Sequence, residues 1–261
     1  GEWATTTVAL GNANSLEIKK EIHFPHSLGL LYSAFTYYTG FEVNGGEYKL
    51  MGLAPYGKPK YEKIILDNLI SFQEDGSFQL NMNYFDFSTG LKMINSKFEK
   101  LFKRNTRDPK KEDLEIFHMD IASSVQKVLE IIVLRICEYF KDHYKIKNLS
   151  LAGGVALNCV LNGKILDTKL FEDIWIQPAA GDAGGALGAA LSVWYHHLGN
   201  ERKLLPERDS MNGSFLGPSF TNVEIKKELD ELNINYDELS DEKIYDTVSD
   251  LIINGNLIGW F

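Results

Sequence analysis

The chain has 261 residues, 44% of them hydrophobic, and a formal net charge of −9 from 36 acidic against 27 basic residues. That length and apolar content can bury a large core, and an acidic balance with scattered lysines and arginines excludes nucleic acid held by simple electrostatics. No apolar run approaches the ~18 residues a membrane span needs, no charged region precedes an apolar one at the start, and two cysteines are too few for a disulfide framework.

Cytoplasm is therefore the expected compartment, and Cys137 and Cys159 are both read as buried thiols. In chain order, WATTTVAL (3–10) and SLEIKKEI (15–22) are strand-like and joined by the turn signal GNAN, which predicts a hairpin. LGLLYSAFTYY after Ser27 reads as a buried helix ended by Thr39-Gly40, with Tyr32, Tyr37 and Tyr38 in the core. EVNGGEYK reads as a glycine-rich loop, YEKIILDNLI as a short helix and GSFQLNM as a short strand. Residues 112–144 carry apolar side chains at i, i+3, i+4 and i+7 throughout, the strongest helix signal in the chain. NLSLA (148–152), a helix over 155–166, IWIQ (174–177) and a small-residue helix from 183 to about 197 follow. Strands alternating with helices imply parallel pairing and a sheet covered on both faces. Residues 199–220 read as a linker, and 221–261 as a helix-strand-helix-strand piece ending in the strand NLIGWF. The start at Gly1 and the apolar end suggest a piece of a longer polypeptide.

Two stretches raise a chemical question. In NLSLAGGVALN, Gly153 and Gly154 stand between strand and helix, where glycines let a ligand approach the main chain and the following N–H groups favour anions. IWIQPAAGDAGGALGAAL repeats the arrangement and adds a carboxylate, Asp182. Two such turns on neighbouring strands would face one crevice. The bland readings are tight strand–helix packing for the glycine pair, an N-cap for Asp182, and close helix–sheet packing for the bare surface of Gly184, Gly185, Ala186, Gly188, Ala189 and Ala190. A carboxylate beside a phosphate site is also a natural metal ligand, though incomplete alone. His23 and His26 flank a proline and are not read as a metal pair; His118, His196 and His197 are read as solvated or capping.

EIHFPHSLGLLYSAFTYYTGFEVNGGEYKLMGLAPYGKPKY, HMDIASSVQ, LAGGVALNCVLNGKI and IWIQPAAGDAGGALGAAL together resemble the NodU/CmcH-type O-carbamoyltransferases, from Gly1 to about Leu191 and more weakly to Phe261. The resemblance implies an α/β chain: an actin-like ATPase (ribonuclease H-like) half-domain over 1–198, with a mixed sheet and a large helical insert, then a partial second α/β piece that begins a YrdC-like domain at 221. It implies carbamoyl transfer from carbamoyladenylate, made from carbamoyl phosphate and ATP, to an acceptor hydroxyl, assisted by a divalent metal taken to be iron. Gly153, Gly154, Asn158 and Gly181 fall where the related enzymes contact nucleotide. Asp182 falls on their metal-binding aspartate, and Gly45, Gly46, Glu47 and Lys49 on a crevice-lining loop, the alternative there being a turn followed by an exposed ion pair.

The family's paired metal histidines upstream and its arginine-containing block downstream do not occur in this chain, so half an active site is expected. The chain alone is expected to transfer no carbamoyl group and to bind nucleotide weakly. The half-domain's first strand is expected between strands 3–10 and 148–152, the slot being filled by NLIGWF, by a neighbouring molecule or by further residues. Small-molecule substrates are the implied partners, with neither nucleic acid nor membrane. The competing readings are an actin-like-fold phosphotransferase of the sugar or acetate kinase type, and a non-catalytic nucleotide-binding module.

Overall fold

Alternating side chains on either side of a two-residue loop fold the first segment into a hairpin of β1 (Ala4–Asn12) and β2 (Ser15–His23), antiparallel, with Asn12 opposite Ser15. The computed structural model describes residues 3–202, 209 and 211–260 and divides into two units, Gly1–Leu204 and Leu205–Phe261. Helix α1 (Leu28–Tyr38) starts where Ser27 Oγ accepts a bond from the Leu30 N–H and stops at Thr39, Gly40 following at φ +80°. Then come α2 (Glu47–Leu53), α3 (Glu62–Asn68) and the short antiparallel pair β3 (Ile70–Phe72) and β4 (Phe78–Leu80). Helix α4 (Ser96–Phe102) leads to α5 (Ile116–Tyr144), the spine of the first unit.

The buried stripe of α5 runs through Ile121, Ala122, Val125, Val128, Leu129 and Ile132, and packs against α1, α2 and α3. Each large aliphatic side chain so buried contributes roughly 2 kcal/mol. Phe98 is the hub of an aromatic cluster, with ring centroids 5.1 Å from Phe35, 5.2 Å from Tyr38 and 5.1 Å from Phe102. Beside it, the loop after α2 is pinned to α5. The Lys58 N–H donates to Asp120 Oδ1 at 2.8 Å, Lys60 Nζ lies 2.6 Å from Asp120 Oδ2, and the Tyr61 N–H donates to Ser124 Oγ at 2.9 Å. Burial works to raise the Asp120 carboxyl, and the Lys60 ammonium with the Lys58 N–H outweighs it, holding the group below its ordinary value. LAPYGKPKY and HMDIASSVQ, two of the sequence blocks quoted above, thus meet each other.

After α5, β5 (Asn148–Leu151), α6 (Cys159–Asp167) and β6 (Asp173–Ile176) form a strand-helix-strand unit with parallel pairing, Leu151 opposite Ile176. Helix α7 (Gly184–Ser192) follows and runs on as a wider turn over Val193–His197. The second unit holds α8 (Asn222–Glu231) and α9 (Asp241–Ile253). No helix among the described residues is long and apolar enough to cross a membrane.

The chain is α/β, and several finer expectations change. The strands form three separate two-stranded sheets rather than one mixed sheet: among the described residues β1 bonds only to β2 and β5 only to β6. Among the described residues no strand fills the slot expected between 3–10 and 148–152. NINYDEL and residues 256–260 of NLIGWF are not strands, Phe261 lying outside the described residues; both stretches are exposed, and a strand without a ladder partner has nothing to hold it. Residues 203–208 and 210 of the expected linker also lie outside the described residues. The long helix begins at 116, not 112, because Glu115 is its N-cap, bonded reciprocally to the His118 N–H and ring and paired with Arg104. Cys137 is buried, its thiol pushed up to about 12 by desolvation, whereas Cys159 is exposed at the start of α6.

Candidate functional site at the ends of the parallel strands

The glycine-rich turns lie side by side. At the end of β5 the chain passes through Gly153, at φ +93°, into a single 3-10 turn over Gly154–Leu157, and α6 starts only after Asn158. The expected helix over 155–166 is therefore two pieces with a break that the Asn158 side chain caps, its Oδ1 accepting from the Leu161 N–H at 2.9 Å. At the end of β6 the chain runs through Pro178 and Ala179 to Gly181. The Gly153 N–H donates to Ala180 O at 2.7 Å, and the Gln177 N–H to Leu151 O at 3.2 Å, so the parallel ladder continues into both turns. A Cβ on Gly181 would stand 3.8 Å from Leu157 Cδ1. Gly153, Gly154, Asn158 and Gly181 thus share one end of the sheet, with the N–H groups of Gly154 and Val155 taking no acceptor among the described residues.

Asp182 follows directly and is exposed. It does not cap α7: the cap position is Ala183, with no side-chain bond. Its carboxylate takes no hydrogen bond or ion pair among the described residues, which leaves it able to serve as one ligand of a cation. No group of three or more His, Cys, Asp or Glu side chains that could hold a metal occurs among the described residues, so the other donors would lie outside them. His26 is occupied by the Leu80 N–H and His23 by Glu21.

The 45–49 segment is not a plain loop, since α2 begins at Glu47. A Cβ on Gly46 would come 2.5 Å from Glu42 O, so the turn itself requires this glycine. Glu47 is satisfied locally: Oε1 accepts from Ser33 Oγ at 2.7 Å and from the Asn44 N–H at 3.1 Å. Lys49 is exposed, its ammonium 5.9 Å from the Tyr48 ring centroid, and forms no ion pair with Glu47. No hydrogen bond or ion pair joins Gly45 or Lys49 to the glycine-rich turns among the described residues.

The side chains that sequence reasoning missed lie beneath the first turn. Tyr32 of α1 donates to Gln126 Oε1 at 3.0 Å, and Gln126 pairs with Asn158. Burial pushes the Tyr32 hydroxyl well above its ordinary value, the Asn158 side chain acts to lower it, and the carboxylates of Glu130 and Glu47 add to the rise. Gln126 and Glu130, i and i+4 on the buried face of α5 among Val125, Val128, Leu129 and Ile132, were the available signal.

A family model described as "Carbamoyltransferase N-terminus" matches residues 1–191. An uncharacterized protein of Synechocystis is 56% identical over the whole chain, which spans 42% of that protein. Nodulation protein NolNO of Sinorhizobium fredii is 33% identical, with 36% of its length covered, and nodulation protein NolO of Bradyrhizobium diazoefficiens 31%, with 44% covered, each over all of this chain. The chain therefore spans less than half the length of these relatives. By the extent of the family match and the identity to these proteins, it belongs to the carbamoyltransferase family, as part of that family's N-terminal region.

Proposed function

We propose that the full-length protein is an O-carbamoyltransferase, and that residues 153–158 and 177–182 form one wall of its nucleotide and transfer site. The observation that carries this reading is the pairing of the two glycine-rich turns through Gly153 N–H and Ala180 O, with the Asp182 carboxylate, which has no partner among the described residues, following directly. Gly153 and Gly154 leave room for a phosphate or ribose against the main chain, and the Gly154 and Val155 N–H groups donate to it. Asn158 orients the adenosine side. In the transfer step the acceptor hydroxyl oxygen bonds to the carbamoyl carbon of carbamoyladenylate, the bond from that carbon to the phosphate oxygen breaks, AMP leaves and the hydroxyl proton is released. Asp182 would be one ligand of a divalent metal, iron in this reading, which when bound would polarise the carbamoyl oxygen.

In this reading residues 1–198 belong to an actin-like half-domain and residues from 221 onward to a YrdC-like domain, working in the cytoplasm on carbamoyl phosphate, ATP and a hydroxylated acceptor. The test is to supply full-length protein with carbamoyl phosphate and ATP and to follow pyrophosphate and carbamoyladenylate. Their formation, then AMP release on adding an acceptor, is the expected result. ADP with a phosphorylated acceptor would instead establish a phosphotransferase, and no turnover by folded, metal-loaded protein would overturn the assignment.

A further inference from the structure

Beneath the 153–158 turn lies a set of buried polar side chains whose hydrogen bonds can be assigned in only one way. Asn158 Oδ1 accepts from the Leu161 N–H, so its amide nitrogen must face Gln126, donating to Oε1 at 2.9 Å. Gln126 Oε1 also accepts from the Tyr32 hydroxyl, and its Nε2 donates to Glu130 Oε1 and to Asn158 Oδ1, each at 3.2 Å. A main-chain N–H can only donate, and an ionised carboxylate can only accept. With Tyr32 a neutral hydroxyl, these fixed ends leave one orientation for both amides.

Gln126 and Glu130 are 4% and 6% exposed, and Glu130 forms no ion pair among the described residues. Apolar side chains there would fill the core without the cost of burying a carboxylate, so packing does not account for the pair. What the pair does is fix Asn158, which closes the glycine-rich turn and starts α6. With both lone pairs of Oδ1 engaged, Asn158 has one amide proton and no acceptor left to offer a ligand.

We propose that Gln126 is a positioning residue: oriented by Glu130 and Tyr32, it holds Asn158, and through it the 153–158 turn, in the arrangement the site uses. This rests on the reading of that turn as a nucleotide site. The carboxylates that act on Tyr32, the hydroxyl partner of Gln126, are Glu130 on α5 and Glu47 at the start of α2, and Glu130 also accepts from Gln126.

Three variants of the full-length protein test it: Gln126→Leu, Glu130→Gln and Gln126→Glu. Amide hydrogen exchange across residues 154–161, read by mass spectrometry without ligand, needs no activity. Gln126→Leu is expected to speed exchange there about tenfold while β3 and β4 stay unchanged. Unchanged exchange in the folded variant overturns the proposal. Should Gln126→Leu fail to fold, Glu130→Gln decides instead, because it keeps the size yet lets the amide at 126 turn over; exchange about threefold faster is expected, and none overturns the proposal.

Gln126→Glu sets a second carboxylate against Glu130. At pH 8 its KM for nucleotide should rise about tenfold with kcat near wild type, and recover on acidification as the new carboxyl takes up a proton and donates again. A KM defect independent of pH would overturn positioning through these hydrogen bonds. Wild-type protein that binds no nucleotide, with the exchange arm behaving as expected, would overturn the nucleotide reading and uphold the positioning of the turn.

Discussion

Glycines in two regions of the first unit behave oppositely. Where the loop before α3 meets α5, a Cβ on Gly57 would stand 2.1 Å from the main-chain carbonyl of Met119, and where the β3–β4 turn meets α5, one on Gly76 would stand 2.5 Å from Ile136 Cγ1. Around the ends of β5 and β6, a Cβ on Gly153, Gly154, Gly185 or Gly188 would meet nothing within 4 Å. The first set is explained by packing within the chain, since real side chains do not approach that closely. Of these four the fold asks for glycine only at Gly153, whose φ of +93° favours it, while Gly184 beside them is required by packing, a Cβ there meeting Ala179 O at 2.7 Å. Gly154, Gly185 and Gly188 are not accounted for by contacts among the described residues, and that openness, more than the presence of glycine pairs, is what the proposed ligand wall requires.

The largest effect expected from this contrast is at Gly57. Gly57→Val must push the loop away from α5 and break the Lys58 and Tyr61 bonds to Asp120 and Ser124, at a cost of about 3 kcal/mol or more. Chemical unfolding measures it; a loss below about 1 kcal/mol would mean that the contact relaxes freely and that the contrast overstates the first region.

Next is His118 at the head of α5, 1% exposed, its Nδ1 accepting from the Glu115 N–H. Burial, then the Arg104 and Arg107 charges, lowers it from 6.5 to about 4. The folded protein keeps the ring neutral while the unfolded chain protonates it. The stabilisation is therefore complete above pH 6.5 and is lost as pH falls from there towards 4, by at most about 1.4 kcal/mol per pH unit. His118→Leu should flatten that slope in unfolding measured across the window. An unchanged slope would show that another group carries it.

Asp120 acts lower on the pH scale. Its folded value lies below 3.8, so its contribution is present above that value and disappears as pH falls through the depressed one. Asp120→Asn should cost about 1 kcal/mol at neutral pH, with the difference closing below pH 4. A gap that persists in acid would assign the effect to packing rather than to charge.

The sequence made the two regions unequally legible. The stripe of α5 and the alternation in the hairpin are periodic, and periodicity is a property of neighbouring residues, so those elements are read directly. The glycine-rich turns were legible as punctuation between strand and helix. Their side-by-side placement followed from the parallel strand–helix–strand order, which the Leu151–Ile176 register bears out. The Gln126–Asn158 pair was not legible, because its partners stand 32 residues apart and the pairing depends on how α5 packs against α6. Cys159, expected buried because two cysteines make no disulfide framework, is exposed instead, at the first position of α6 after the break at Asn158. NLIGWF shows the limit of strand propensity, which becomes a strand only where a ladder partner exists.

A smaller effect carries a sign that separates the regions. Gly188 lies inside α7, where no residue is buried and a Cβ has open space. With no packing to lose, Gly188→Ala should raise stability by roughly 0.5–1 kcal/mol through helix propensity. Thermal unfolding of the protein reads this. A decrease instead would show that the bare face of α7 is covered in solution, and would move α7 into the first region.

The smallest effect sharpens the comparison most. Asp182 is exposed, its carboxylate caps no helix and has no partner among the described residues. Asp182→Ala removes nothing that the fold uses and should leave stability within about 0.5 kcal/mol of wild type, as surface substitutions do. A loss above about 1 kcal/mol would reveal a structural bond and return Asp182 to the capping role that its position suggested. With stability unchanged, any loss of metal content or carbamoyl transfer in the full-length variant is attributable to the site rather than to folding. The two measurements belong together on one preparation, because a carboxylate that matters for chemistry and not for stability is the behaviour that the open region requires and the packed region forbids.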